Sequence, residues 1–262
     1  MEDLKGKVII VTGAATGIGR DAALEFGRIG AKVVVVTGHN KAGGEATVQA
    51  IRDAGGEASF VQCDVSDEAQ VKAMVEKTLE LYGRIDCAFN NAGVGPDGVR
   101  MGFYPLTELP VEDWDKEMAV NARGCFLCLK HEIPAMLKTG GGAIVNTASV
   151  GGIRMGPSFG GYGPSKAAVI AVTRTAALEY AREGIRVNVV CPGPTLGTEL
   201  MKNSQATGGA AAGGEDGQPP IPMGKMGQTE DVVNAVVWLC SERSGHVTGH
   251  ALSVDGGMAD IG

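Results

Sequence analysis

The strongest constraint on this chain is an alternation. Short β-branched runs, "KVIIVTG", "KVVVVTG", "ASFVQCDV", "DCAFNNAG", "GGAIVNTAS" and "IRVNVVCPG", are separated by helix-patterned stretches such as "GRDAALEFGRIG", "EAQVKAMVEKTLELYG" and "SKAAVIAVTRTAALEYAREG". Strands joined through helices run parallel, because each right-handed crossover returns the chain to the edge from which it left. A parallel sheet is covered on both faces, which accounts for runs that are apolar throughout rather than alternating. The pattern predicts an α/β fold, a doubly wound parallel sheet with helices on both faces. Near the end "DVVNAVVWLCSER" reads as another helix and "HALSVDGG" as a last strand, for about seven strands in all. No boundary interrupts the rhythm, so residues 1–262 are expected to form a single domain, near the upper size that one core supports.

Composition narrows the partners. With 23 basic and 30 acidic residues the net charge is −7, and the absence of a basic cluster excludes a nucleic-acid footprint or an anionic membrane surface. No segment approaches the roughly 18 unbroken apolar residues of a membrane span. The start "MEDLKGKVIIVTG" lacks the basic flank and long apolar core of a signal peptide. Cys63, Cys87, Cys191 and Cys240 lie in apolar surroundings and read as buried thiols of a reducing compartment, which predicts a cytoplasmic protein. Cys125 and Cys128 form a C-x-x-C, but no second pair or histidine cluster joins them, so core packing is the expectation and no metal site is predicted.

The first strand runs into "TGAATGIGR", with Gly13, Gly17 and Gly19 at the turn into the first helix. Glycines there let a pyrophosphate approach the helix N-terminus, where open N–H groups and the dipole favour anions. A tight strand-to-helix turn is the plain alternative. Placement in the first strand–helix unit favours the dinucleotide and a Rossmann-like fold.

Further along stand Tyr162 and Lys166 in "YGPSK", four apart and therefore on one face of a helix. Ser149 in "NTASV" ends the preceding strand. A phenol with an ordinary pKa near 10 is a poor base at neutral pH, and a neighbouring ammonium is expected to lower that value. Taken singly, Ser149 is as readily a cap or turn residue, Lys166 a solvated charge and Asn121 a turn former.

The glycine spacing G-x-x-x-G-x-G, "NNAG" at 90–93, Asn121 in "AVNARG", Ser149, Tyr162 with Lys166, and "CPGP" at 191–194 occur in this order. Together they resemble the short-chain dehydrogenase/reductase family over essentially the whole chain. The resemblance implies NAD(P)-dependent interconversion of a secondary alcohol and a ketone by hydride transfer. Tyr162 would be the proton donor and acceptor, Ser149 would hold the carbonyl oxygen, Lys166 would lower the phenol pKa and bind the nicotinamide ribose, and Asn121 would anchor a relay water. It also implies cofactor contacts from Gly13, Thr16, Gly17, Ile18, Gly19, Thr37, His39, Asp64, Val65, Asn91, Ala92, Gly93, Pro192, Gly193 and Thr198, besides Tyr162 and Lys166. Asp64 and Val65 resemble the adenine-binding pair, and the local alternative makes Ser66 the N-cap of the next helix.

Two places depart from the family pattern. The second strand ends in Thr37, Gly38 and His39, with neither the acidic residue of NAD-preferring members nor an arginine for a 2′ phosphate. Since nothing there repels the phosphate, the expectation leans to NADP(H). In "CPGPTLGTEL" Gly197 occupies the place of the usual threonine, and Thr198 is taken as the carboxamide contact.

Asn203 to Gly224 is rich in Gly and Ala, then in Pro, and follows the sixth strand, where a lid over the site is expected and a disordered loop is the alternative. Val94, Met101, Phe103, Val150, Ile153, Met155, Phe159 and Met201 give the flanking segments an apolar cast, with Arg100 and Arg154 as polar handles. A lipophilic or cyclic alcohol/ketone substrate is expected. "CFLCLKHEIPAML" and "AAVIAVTRTAALEYA" are apolar over more than one face, which with the resemblance implies a homotetramer. The competing reading is a non-catalytic nucleotide-binding sensor or scaffold on the same fold, for which a full Asn–Ser–Tyr–Lys set would have no use.

Overall fold

A computed structural model of the protein describes residues 2–97, 99, 101–157, 159–206 and 221–259. The chain builds strands β1 (Val8–Thr12), β2 (Lys32–Thr37), β3 (Glu57–Gln62), β4 (Cys87–Asn90), β5 (Gly142–Thr147), β6 (Ile185–Pro192), β7 (Thr195–Leu196), β8 (Gly227–Gln228) and β9 (Ala251–Val254). Between them run helices α1 (Gly17–Ile29), α2 (Lys41–Asp53), α3 (Glu68–Tyr82), α4 (Val111–Glu117), α5 (Gly124–Leu137), α6 (Tyr162–Tyr180), α7 (Glu199–Ala206) and α8 (Thr229–Cys240). Seven strands form one sheet in the order β3-β2-β1-β4-β5-β6-β9, and every pairing in it is parallel. The doubly wound architecture expected from the alternation is the one observed.

Each strand serves two cores because successive side chains point to opposite faces. In β1, Ile10 joins the layer with α3, α5 and α6, while Ile9 and Val11 join the layer with α1, α2 and α8. In β2, Val34 and Val36 face the first layer and Val33 and Val35 the second. The strand order reverses between β1 and its neighbour β4, so the connections leave in opposite directions and open a crevice at the strands' carboxyl ends. That crevice positions the site.

Two local expectations are corrected. Asp67, not Ser66, caps α3: its carboxylate accepts from the N–H groups of Ala69 and Gln70 at 2.9 and 3.2 Å. The Ser66 hydroxyl instead donates to Asp64 at 2.8 Å. The cysteines are not all thiols either. Cys87 at the start of β4 and Cys240 at the end of α8 are joined by a disulfide, their Cα atoms 6.2 Å apart. The packing of α8 on the sheet brings together two residues 153 apart in sequence, a proximity that no local pattern encodes. Cys63, Cys125, Cys128 and Cys191 are free and buried, and burial pushes the thiols of Cys63, Cys125 and Cys191 up to about 12. Of the expected lid, residues 207–220 lie outside the described residues, as does Arg100. No helix among the described residues is long and apolar enough to cross a membrane.

Candidate active site

The floor of the crevice is a close meeting of two loops. Gly13 and Gly17 have φ values of +68° and +55°, which favour glycine. A Cβ on Gly13 would stand 2.9 Å from the Ala92 Cα, and one on Gly19 would strike the Gly13 carbonyl and the Asn91 amide. The Thr12 hydroxyl binds the opposite loop, accepting from the N–H groups of Asn91 and Ala92 at 3.0 and 3.1 Å. Thr16 caps α1 in extended conformation without a side-chain capping bond, so its first-turn N–H groups are not taken by that side chain. Ile18 packs partly buried on the second core. This glycine cradle at a helix N-terminus fits a dinucleotide pyrophosphate.

The other predicted cofactor residues flank that cradle. Thr37 is buried and donates its hydroxyl to the Asn40 carbonyl at 3.1 Å, while His39 is exposed beyond the end of β2. Asp64 accepts from the Ser66 N–H at 2.9 Å, and Val65 is buried beside Gly124. Gly93 lies over Asn121 and Lys166, where an added Cβ would be 3.1 Å from both Asn121 Oδ1 and Lys166 Nζ. Pro192 ends β6, and the N–H of Gly193 donates to the Val254 carbonyl at 3.0 Å. Thr198 comes to the glycine turn, its Cα 3.4 Å from where a Gly17 side chain would begin, and its hydroxyl accepts from Met201 N–H at 3.2 Å at the start of α7.

Tyr162 opens α6 partly buried, and Lys166 follows one turn later, buried. Lys166 Nζ donates to the Thr147 carbonyl at the end of β5 at 2.9 Å and stands 5.7 Å from the centre of the Tyr162 ring. Ser149 accepts from the Gly151 N–H at 3.1 Å as the cap of a short 3₁₀ turn, and a Cβ added at Gly151 would lie 3.5 Å from the Ser149 hydroxyl and 3.7 Å from the Tyr162 ring. The cap reading of Ser149 is the one its hydrogen bond realises. The expected lowering of the phenol pKa is not what this chain sets up by itself. Burial raises the Tyr162 pKa, and Ser149 opposes the rise. Burial likewise lowers Lys166 to about 8. Desolvation dominates because Lys166 is spent on Thr147 rather than on the phenol oxygen.

Asn121 is a helix-interior residue, not a turn former. It sits in a π-helical turn, Met118–Arg123, that joins α4 to α5, and such widened turns cluster at functional sites. Its side-chain oxygen accepts from the Val94 N–H at 2.8 Å, and its amide donates to the Val94 carbonyl at 2.8 Å and to the Ser165 hydroxyl at 2.9 Å. The side chain thereby clamps the loop after β4 to α6.

Of the apolar residues expected near the substrate, Phe159 lies 6.3 Å from the Tyr162 ring and packs edge-on against Phe103 at 5.8 Å. Met101 and Met201 are buried, whereas Ile153 and Met155 are exposed. Arg154 donates to the Met258 carbonyl at 3.2 Å. Two acidic residues escaped the sequence reading. Asp97 is fully buried in the loop after β4 and accepts from the Asn203 amide of α7 at 3.0 Å, and Glu117 is buried at the end of α4. A carboxylate in a run of Gly and Val, "GVGPDGV", was the available signal for the first. Glu117 gave none, lying among the charges of "EDWDKE".

Sites of this form belong to enzymes that move a hydride between a nicotinamide dinucleotide and an alcohol or ketone carbon. Residues 13–259 match the family profile described as Enoyl-(Acyl carrier protein) reductase. The chain is 40% identical to 2,5-dichloro-2,5-cyclohexadiene-1,4-diol dehydrogenase of Sphingobium indicum, with both chains fully covered. It is 39% identical to 3beta-hydroxysteroid dehydrogenase 1 of Eggerthella lenta, covering 98% of this chain and 95% of that one. Among solved structures, levodione reductase superposes with a TM-score of 0.89 at 34% identity, covering 98% of each chain. The chain belongs to the short-chain dehydrogenase/reductase family and is an NAD(P)-dependent oxidoreductase acting on CH–OH groups.

Proposed function

We propose that the protein, acting as one domain, interconverts a lipophilic or cyclic secondary alcohol and its ketone with Tyr162 as the proton donor and acceptor. The observation that carries the reading is that Ser149, just past β5, and Tyr162 and Lys166 of α6 stand together in the crevice, with Lys166 Nζ 5.7 Å from the Tyr162 ring centre and Ser149 and that ring both beside Gly151. Hydride donation or acceptance is the chemistry that a bound nicotinamide nucleotide supplies, held by the cradle of Gly13, Gly17 and Gly19 and by Lys166. Tyr162 delivers a proton to the carbonyl oxygen during reduction and removes it from the alcohol during oxidation. Ser149 holds the same oxygen as a preorganised donor. Asn121 keeps the loop after β4 against α6, and because its side chain is committed, a relay water would be held by its main chain. The Phe103–Phe159 pair beside Tyr162 and relatives named for a cyclic diol and a steroid support the substrate class.

NADP(H) is favoured, because the end of β2 offers exposed His39 and no carboxylate that would repel a 2′ phosphate. A homotetramer is supported by Phe126 and Leu178, which stand 48% and 86% exposed on α5 and α6. So does a hollow of about 450 Å³ along the outer edge of β9, lined by Ile170, Arg174 and His250 and set apart from Tyr162.

Fluorescence titration with NADH and NADPH, followed by absorbance at 340 nm against cyclic ketones and alcohols, tests the proposal. Turnover with either nucleotide supports it. Tight binding with no turnover across the panel would instead favour a nucleotide-binding sensor.

A further inference from the structure

We infer that Asp97 and Asn203 are a positioning pair for substrate, a tie that holds α7 against the loop after β4 and thereby sets the wall of the crevice over Tyr162. The inference rests on the reading of that crevice as the alcohol/ketone site. The loop after β4 lies directly on the tyrosine. At Gly95 an added Cβ would come 2.7 Å from Cδ2 of the Tyr162 ring. Further along, Phe103 packs edge-on against Phe159, whose ring stands 6.3 Å from that of Tyr162. Asp97 falls between these two contacts and is fully buried.

Both oxygens of that carboxylate are used. Oδ1 accepts from the Val99 N–H at 2.9 Å, and the Asp97 N–H donates to the Met101 carbonyl at 3.2 Å, which together close the loop on itself. Oδ2 accepts from the Asn203 amide at 3.0 Å, across 106 positions of sequence. A local turn needs only the first of these oxygens and can be made by an exposed side chain. Burying a carboxylate is costly unless its acceptors are filled, and in return it gives a strong, directional bond. Here that bond is spent on joining two segments rather than on shaping one.

The other end of α7 is fixed to the nucleotide side. Thr198, just before the helix, has its Cα 3.4 Å from where a Gly17 side chain would begin, and its hydroxyl accepts from the Met201 N–H at 3.2 Å. Asn203 follows one turn into the helix. The start of α7 thus rests on the glycine cradle, while Asn203 reaches the loop over Tyr162, and buried Met201 lies between the two anchors. Breaking the Asp97–Asn203 bond frees the substrate wall and leaves the contact at Gly17 in place. The pair therefore acts on substrate affinity and not on nucleotide affinity.

The test is a charge reversal in the full-length protein. Asn203→Asp sets a second carboxylate against that of Asp97 and drives the segments apart. Adding Asp97→Asn restores the bond in the opposite sense, since an amide at position 97 donates to the new carboxylate while its oxygen still accepts from the Val99 N–H. With cyclohexanone as the probe ketone, Asn203→Asp is expected to raise KM about tenfold or more, with the Kd for NADPH moved by less than about twofold, and the double variant to recover the wild-type KM. Hydrogen exchange is read on the same proteins. Peptides carrying Val99 and Met201 are expected to exchange faster together in Asn203→Asp and to recover together in the double variant. An unchanged KM in Asn203→Asp, or no recovery in the double variant, overturns the inference. A bond that is merely structural would lower the urea midpoint and leave KM where it is. Failure of the alcohol/ketone reading is separate, since it shows as no turnover by the wild type; exchange alone then decides, and peptides that do not respond together overturn the tie.

Discussion

Lys166 Nζ and the Thr147 carbonyl are joined by a 2.9 Å hydrogen bond that ties the first turns of α6 to the carboxyl end of β5. The bond satisfies a buried ammonium and fixes where it stands relative to Tyr162, 5.7 Å from the ring centre. Strand end and helix start are thereby set as one unit, and the site inherits the rigidity of the sheet.

Removing the phenol oxygen from that unit tests the chemistry directly. Tyr162→Phe is expected to lower turnover by roughly 10² to 10⁴, the range of general acid–base catalysis, while the nucleotide still binds. Steady-state rates and fluorescence titration on one preparation check both halves, and unchanged turnover would remove Tyr162 from its role.

Asn121→Leu breaks the clamp between Val94 and Ser165. It leaves part-buried main-chain groups of Val94 without their protein partner, at a cost of about 1–2 kcal/mol. Urea unfolding should report this loss together with a fall in kcat. A variant as stable as the wild type would show that the loop after β4 does not depend on the clamp.

His39→Asp places a carboxylate where the ribose 2′ position is expected. Relative affinity for NADPH over NADH should fall about tenfold or more, as a 2′ phosphate is repelled. An unmoved ratio in paired titrations would place that recognition elsewhere.

Glu132 gives a prediction about stability. This carboxyl is fully buried on α5; its Oε2 accepts from the Asn90 amide at 2.9 Å, while its Oε1 and Asn90 Oδ1 have no partner among the described residues. Burial raises its pKa from 4.5 to about 7. Between those values the folded state binds more protons than the unfolded, so this contribution is full below pH 4.5 and is lost as pH rises through about 7. Glu132→Gln removes that slope and offers Asn90 Oδ1 a donor. The variant should be more stable than the wild type at pH 8, by up to roughly 3 kcal/mol, and nearly equal to it at pH 4.5. Urea unfolding at the two pH values decides, and a gain of the same size at both would point to packing rather than ionisation.

Legibility in the sequence varied with the range of the interaction. Tyr162 and Lys166 were readable because four residues on a helix make one face, and the glycine turn because its spacing serves backbone geometry. Ser149 was readable as a cap or as a site residue, and the structure shows the cap. Asn121 was recognised through its motif, but its π turn and its grip on Val94 were not, since the partner lies 27 positions away. Asp97 and Glu117 looked like ordinary loop and surface charges until packing buried them.

What the sequence determined by itself was the alternation of strand and helix, hence a parallel sheet covered on both faces, and the order of the chemical motifs along it. These follow from local periodicity and short-range sterics, which each segment carries within itself. The tertiary structure alone decided that Cys87 meets Cys240, that Lys166 is spent on Thr147, and that burial rather than a neighbouring charge governs Tyr162. Those outcomes depend on which distant surfaces exclude water from a group, and exclusion exists only once the helices have closed over the sheet.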